Sequence, residues 1–421
     1  MIARTPGRLR SRALLLLAAV VSLYFLFSFF ANSDSSPKIS YSTVYSYADL
    51  KKQEETTARR FLKSVELIEG QKPRFVKFRQ HQGGEFDSKA LEILLHHTLA
   101  LSAFRIYIYE PFNLQTSNEQ VPLSTFLLGA TEERAVPSSF IEEVCPKDSK
   151  DVVHVTLEAS DTNFWKNITA TLKQKEKCIF VDNPILDSSY LSSVAVDDLW
   201  RAFMKYLPRY FRWPPHIIDA VEYVQASLNL RPYFSSFKGE PYMALDLRRG
   251  DLSEHCKSAA ESRSGFSNWA NIPSISTQTL PPLLDNNNAT SVMDHCYPPL
   301  SRVVDAIDHQ IRRKPYIRAI HIIHDAAASS DVRKLEAAVK SKEHAQRAGW
   351  LYGPMQAVTK SSFVSLKSGT EEMSVAVDIE IARRAEIFVG NGYSNLTSFI
   401  IGLRMGGDLI SAGISDDITL F

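Results

Sequence analysis

From Arg74 onward, short runs of strand-type residues alternate with longer runs whose apolar positions follow a helical period, and this alternation most restricts the folds open to the chain. Arg74-Phe-Val-Lys-Phe78 alternates as a strand does. A Gly83-Gly84 turn follows, and then Asp87–Ala103, where Leu91, Leu94, Leu95, Thr98, Leu99 and Ser102 recur at the i, i+3, i+4, i+7 spacing of one buried stripe. Arg105–Tyr109 is strand-like again, so the three pieces form a β-α-β unit and call for a parallel sheet. Val152–Leu157 and Cys178–Asp182 read as two more strands with a helix between them. Leu199–Phe211 and His216–Leu228 read as helices parted by Pro214-Pro215. A second series starts at Tyr242–Leu247. It runs through a helix near Arg302–Arg313, a strand at Ala319–Ile323 and a helix at Asp331–Lys340, and ends in a strand at Ile387–Gly390 and a helix at Ser394–Arg404. Two α/β halves joined near residue 235 are expected, with a cleft between them at the carboxyl ends of the strands. Ser253–Pro299, rich in Ser, Asn and Pro, reads as a long segment without regular pattern.

Ahead of the folded part, Arg4, Arg8, Arg10 and Arg12 precede nineteen uncharged residues, Ala13–Ala31. At ~1.5 Å per residue these make roughly 28 Å of helix, enough to cross a hydrocarbon core. The arginines put the N-terminus in the cytosol and the rest in a lumen, a type II topology. A cleaved signal peptide is the competing reading, but its apolar stretch usually runs only about 7 to 15 residues. The expected organisation is a tail over 1–12, an anchor over 13–31, a stem over 32–72 and two domains over 73–234 and 235–421. Within the stem, Ala48–Ile68 reads as a solvent-facing helix.

With 48 Lys plus Arg against 47 Asp plus Glu, no long-range field favours a nucleic acid, so any bound anion must be held by local groups. The four cysteines, Cys145, Cys178, Cys256 and Cys296, fit no zinc spacing. Two disulfides in an oxidising compartment are expected. Three pairings are open, and Cys145–Cys178 with Cys256–Cys296 is preferred because each bond closes one local excursion. Asn167-Ile-Thr, Asn288-Ala-Thr and Asn395-Leu-Thr are glycosylation sequons.

Three features carry chemistry. Leu245-Asp-Leu-Arg-Arg-Gly-Asp251 is an apolar strand that ends in two guanidinium groups, suited to clamp a pyrophosphate, although a structural Arg-Asp pair would look the same. Phe388-Val-Gly-Asn-Gly-Tyr-Ser-Asn-Leu-Thr397 runs from a strand into a helix whose first amides, with the Ser394 and Thr397 hydroxyls, suit a phosphate. An ordinary helix cap is the other use of such residues. Gln82-Gly-Gly-Glu-Phe-Asp-Ser-Lys89 forms the first β-α turn. There is no D-x-D, no H-E-x-x-H and no G-x-G-x-x-G, so neither an acid pair for a metal nor a dinucleotide fingerprint is evident.

In order and spacing these features resemble the GDP-fucose protein O-fucosyltransferases and their fungal-type relatives. The matching pieces are Asp246-Leu-Arg-Arg-Gly-Asp251, His324-Asp325 and the block from Asp378-Ile-Glu380 through Ser398. The resemblance covers about residues 74 to 408 and implies two Rossmann-like domains facing a cleft, the GT-B type, which the transmembrane helix read above would precede. The domain over 73–234 would then stand on the acceptor side and that over 235–421 would bind the GDP-sugar. It also implies an inverting, metal-independent glycosyltransferase with no cofactor, GDP-fucose as donor substrate and a protein or glycan acceptor, in the Golgi or endoplasmic reticulum.

Carried over by position, Arg248 is the arginine on the β-phosphate, with Arg249 beside it. Asp325 and Asp378 help hold the nucleoside, and Ser394, Asn395 and Thr397 occupy the phosphate-binding turn. Gly83, Gly84, Phe86 and Asp87 form the donor-contacting first loop. The chain departs from the family where Asp246 replaces a His and Asn395 a Ser, and where Glu85, Asp87 and Ser88 replace Gly, Asn and Asn. The carboxylates would repel a dianionic donor, yet Glu85 also supplies a candidate general base. The rival readings are a related transferase with a glycan acceptor or another donor sugar, and a catalytically inactive binding module of the same fold.

Overall fold

The computed structural model describes residues 41–42, 46–68, 72–81, 85–112, 120–147, 149–157, 164–186, 196–233, 238–250, 252–361, 364–365, 372–406 and 417–421. The expected anchor over 13–31 and the glycine pair Gly83-Gly84 lie outside them. No helix among the described residues is long and apolar enough to cross a membrane.

Two parallel sheets form the frame. In the first, β1 (Phe75–Phe78), β2 (Ile106–Tyr109), β3 (Ala135–Pro137), β4 (Val152–Val155) and β5 (Cys178–Val181) lie in the order β3-β2-β1-β5-β4. The second contains β6 (Leu230–Arg231), β7 (Glu240–Leu247), β8 (Ala319–His324), β9 (Ala357–Lys360), β10 (Ile387–Gly390) and β11 (Ile418–Leu420). Its order is β9-β8-β7-β10-β11, with β6 against the start of β7. Central strand β7 is buried from Tyr242 to Leu247, as the near-continuous apolar run of a strand covered on both faces requires. Asp246 is the one polar residue in that run, and it is 1% exposed.

Helices from the two series share one hydrophobic core. The main helices are α1 (Tyr47–Ile68), α2 (Phe86–Ser102), α3 (Phe164–Leu172), α4 (Val196–Tyr210), α5 (Pro215–Ser227), α6 (Leu252–Ser262), α7 (Ala289–Cys296), α8 (Leu300–Arg313), α9 (Ser329–Val339), α10 (Glu372–Arg384) and α11 (Asn395–Gly406). Helix α11, which follows the second sheet, packs on α2 of the first sheet and on α4. Leu94, Leu95 and Leu99 of α2 and Phe399, Ile400 and Leu403 of α11 belong to one buried cluster with Phe203 and Trp269. Trp269 stacks on Phe203 with centroids 5.4 Å apart and tilts against Trp200 at 5.0 Å.

Two expectations from the sequence change. The stretch read as a solvent-facing stem helix is α1, which buries Tyr47, Leu50, Ala58 and Val65 and brings Glu54 Oε1 to accept from the Ser124 amide. Its apolar face is sparse because alternate turns carry Lys and Glu. Ser253–Pro299 is also not patternless. It holds α6 and α7, and α6 buries only Cys256 and Ala259, too small a face to show as an apolar stripe. Strands β3, β6, β9 and β11, of two to four residues, were not read from the sequence.

Both expected disulfides are present, Cys145–Cys178 and Cys256–Cys296, with Cα atoms 6.0 and 5.4 Å apart. The second ties α6 to α7. Closing a loop of this length restricts the unfolded chain by roughly 3 to 4 kcal/mol on the chain-entropy argument. The Cys256→Ser, Cys296→Ser double variant is therefore expected to unfold at a clearly lower denaturant concentration. An unchanged midpoint in equilibrium unfolding would contradict this.

Candidate functional site

In the second sheet the chain winds one way from β7 through β8 to β9, and the other way through β10 and β11. The neighbours β7 and β10, registered Met243 to Ile387 and Leu245 to Val389, therefore flank the switch point where α/β sheets leave a crevice. The loops leaving these two strands carry Arg248 and residues 391–394.

Asp246 ties the two loops together. Its Oδ2 accepts from Ser394 Oγ at 2.7 Å and from Thr397 Oγ1 at 2.8 Å. Ser394 Oγ accepts from the Thr397 amide at 3.2 Å, which makes Ser394 the N-cap of α11. Thr397 Oγ1 accepts from the Asn391 amide at 3.0 Å, and Asn391 Nδ2 donates to the Cys296 carbonyl at 2.8 Å. The turn is sterically closed. A Cβ on Gly390 would sit 2.6 Å from Thr397 Oγ1, and one on Gly392 would sit 2.3 Å from the Phe266 ring.

Arg248 continues from β7 into the space above this turn. Nη1 donates to Glu85 Oε2 at 2.7 Å, and Nη2 donates to Ser394 Oγ at 3.0 Å and to Asp87 Oδ2 at 3.4 Å. Nε lies 3.6 Å from Asp246 Oδ1, and neither of these two buried atoms has a hydrogen-bond partner. Burial pulls the guanidinium pKa down, but Asp246, Asp87 and Glu85 outweigh it and hold the pKa above its ordinary value. Arg248 is thus a permanent cation with three carboxylates around it. The carboxylates differ in access, since the side chains of Asp246 and Asp87 are 1% exposed and that of Glu85 is 63% exposed.

The first β-α turn meets the same place from the other sheet. Glu85 stands at the N-cap position of α2, and Asp87 Oδ1 accepts from the Ser88 amide at 2.8 Å. Asn395 Nδ2 donates to Ser88 Oγ at 2.9 Å, while its Oδ1 accepts from Asn268 Nδ2 at 2.8 Å. With that amide engaged and Thr397 fully buried, the Asn395-Leu-Thr sequon is part of the folded site. Asn167 and Asn288 are exposed.

The other residues nominated from the sequence are engaged as follows. Arg249 donates through Nε to Asp331 at 3.0 Å and through Nη2 to the Pro298 carbonyl at 2.8 Å, and its guanidinium lies 4.5 Å from the Tyr297 ring centroid. It shares none of these partners with Arg248. Asp325 Oδ2 accepts from the amides of Arg249 and Gly250, at 2.8 and 2.7 Å, and Oδ1 accepts from the Ala328 amide, so it shapes the backbone after β7. Asp378 is 5% exposed with His321 Nε2 3.4 Å away. Phe86 packs against Phe112 and Phe126, at 5.7 and 4.5 Å between centroids. Glu380 of the quoted motif is fully buried and pairs with Arg383 and Arg384. Sequence reading missed Asn391, Phe266 and Asn268. The Gly390-Asn-Gly392 triplet was a signal for Asn391, whereas the other two lie in the segment read as irregular. Among the described residues no group of three or more His, Cys, Asp and Glu is placed to hold a metal ion.

A parallel sheet whose switch point presents an arginine and a capped helix N-terminus, facing a loop from a second parallel sheet, defines an α/β fold of the GT-B-like kind. The sequence profile described as GDP-fucose protein O-fucosyltransferase matches residues 24–406, and the chain belongs to that family, as a fucosyltransferase. Among solved structures, the crystal structure of POFUT1 in complex with GDP-fucose is similar at 12% identity and a TM-score of 0.52, covering 80% of this chain and 96% of that one. A second crystal form of that complex gives 12% identity and 0.51, with 83% and 98% covered. POFUT1 in complex with GDP gives 13% identity and 0.50, again with 83% and 98% covered. No curated protein matches by sequence.

Glu92 links the first turn to pH. It is 6% exposed on α2, its Oε1 accepts from the His81 amide at 2.9 Å, and burial raises its pKa to about 7 against the lowering by that amide and by Lys89. A carboxyl whose folded pKa lies above its unfolded value loses stability for the fold as pH rises between the two. Buried His96 and His97, whose pKa values burial lowers, act in the opposite direction at lower pH. The Glu92→Gln variant, compared with the parent at each pH, isolates the carboxyl. Its stability advantage is expected to be small near pH 5 and to grow toward pH 7, read as the difference in thermal midpoint, and a flat difference would contradict the assignment.

Proposed function

We propose that this chain transfers fucose from GDP-fucose to a hydroxyl of a protein or glycan acceptor in the secretory lumen, by one inverting displacement that uses no metal ion. The observation that carries the proposal is Arg248, bonded at once to an exposed carboxylate, Glu85, and to the hydroxyl that caps α11. A β-phosphate entering the crevice takes the place of Glu85 on the guanidinium and lies at the start of α11, where amide dipoles favour an anion. Glu85 is able to leave because it is exposed, while Asp246 and Asp87 stay to orient the arginine.

In the reaction the acceptor oxygen forms a bond to C1 of fucose as the bond from C1 to the β-phosphate oxygen breaks. The electron pair leaves with GDP, whose growing charge Arg248 stabilises. The acceptor proton passes to the Glu85 carboxylate that donor binding has released. This order presents the base to the acceptor only when the donor is in place. Asp246, Asp325 and Arg249 are positioning residues for Arg248 and its loop, and Asp378 is assigned to the nucleoside side. The two-domain division near residue 235, the type II anchor over 13–31 and a Golgi or endoplasmic-reticulum location belong to the same reading. Two disulfides, which persist in oxidising compartments, support it. Three carboxylates around one arginine favour the rival reading of an inactive binding module, and turnover itself separates the two.

Arg248→Lys keeps the charge but loses the two-pronged contact, so transfer is expected to fall by about 10²-fold or more while stability changes little. Glu85→Gln is expected to bind GDP several-fold tighter, because a competing charge is gone, and to lose about 10²-fold or more in turnover. Donor titration and an initial-rate assay measure both, and undiminished turnover in Glu85→Gln would rule out the base. Activity is expected to persist in excess chelator; loss restored by manganese would overturn the metal-free displacement.

A further inference from the structure

Beside the turn that carries Ser394 lies a cavity of about 320 Å³, near the lower end of the range for ligand sites. It is lined by residues of the disulfide-bracketed segment between α6 and α7. Asn271 and Asn286 supply amides, Thr277 and Thr279 supply hydroxyls that donate to the Pro273 and Ser276 carbonyls and keep their acceptor lone pairs, and Phe266 and Leu283 supply apolar wall. Phe266 and Thr279 are buried, whereas Thr277, Leu283 and Asn286 are exposed, so the recess has a closed floor and an open rim. No charged side chain is among the described residues that line it. A lining without charge offers no countercharge to a phosphate or a metal ion and so favours a neutral occupant. Several amides and hydroxyls beside an aromatic ring and a leucine match a ring that bears hydroxyls on its edge and C–H groups on its faces.

The recess is joined to the proposed donor turn. The Ser267 amide donates to the Gly392 carbonyl at 2.8 Å, Tyr393 Oη donates to the Ser264 carbonyl at 2.8 Å, and the Phe266 and Tyr393 rings meet edge to face at 5.5 Å. We infer that this recess binds one neutral sugar residue carried by the acceptor, so that the acceptor is a glycan or glycoconjugate held next to the donor. Naming the ligand as acceptor rests on the fucosyl-transfer reading; the binding of a neutral sugar does not.

Gly265 offers the test. A Cβ built there approaches no atom closer than Asn286 Nδ2 at 3.4 Å and Asn271 Oδ1 at 3.7 Å, so a side chain enters the recess without displacing the backbone. Saturation-transfer NMR of the full-length chain, with GDP present, probes a panel of neutral methyl glycosides: glucoside, galactoside, xyloside and N-acetylglucosaminide. At least one is expected to bind at millimolar concentration, with Gly265→Leu weakening it tenfold or more and leaving GDP affinity within twofold. Should Gly265→Leu fail to fold, Asn286→Ala at the exposed rim takes its place, with at least a several-fold loss expected. Binding that survives the substitution, or no glycoside binding while GDP binds, overturns the inference. A glycoside bound and then lost in the variant, with no affinity for GDP in either protein, upholds the recess and removes the donor reading instead.

Discussion

A carboxylate buried in the middle of a parallel sheet is costly unless donors and a countercharge meet it, and Asp246 finds two hydroxyls on another loop and the Arg248 guanidinium on its own. Its Oδ2 takes two hydroxyls from the start of α11, and its Oδ1 faces the Arg248 Nε. The charge thereby sets where α11 begins and which way Arg248 points. Remove it and the Ser394 and Thr397 hydroxyls lose their acceptor, while Arg248 keeps Ser394 Oγ as its one bonded partner on the near side. The candidate site and the fold of the switch point are one construction.

That far side is held just as specifically. Helices α2 and α11 pack through Leu and Ile side chains, and the Asn395 amide spans from Asn268 to Ser88 at the end of the same contact. The first turn of one sheet is therefore fastened to the second sheet's helix within a few residues of Glu85 and Asp87. Apolar packing supplies the attraction, and the short polar chain fixes the register.

Much of this was legible in the sequence, and the remainder has identifiable causes. The apolar period over Asp87–Ala103 revealed α2, the runs Leu199–Phe211, His216–Leu228 and Ser394–Arg404 were read as the helices that are α4, α5 and α11, and the run Tyr242–Leu247 revealed the central strand. The local disulfides were also readable, because each closes a single excursion. What escaped were strands of two to four residues and helix α6, whose buried face is Cys256 and Ala259. Motif position named Arg248 and Ser394, which the structure brings into contact, but did not distinguish a residue facing the crevice from one facing the core. Arg249 and Phe86 stand next to crevice residues in sequence, yet their side chains lie on Tyr297 and on Phe126. Only the strand's alternation, with its twist, sorts such neighbours, and a loop has none.

The Asn395 amide carries a further consequence. An oligosaccharide attached there would delete one of its two donors and set a branched polar body where Ser88 and Asn268 now touch it. A glycan at this sequon and the present seating of Asn395 between Ser88 and Asn268 compete for the same space. Of the three sequons, Asn167 and Asn288 are the two whose asparagines stand exposed on the folded chain.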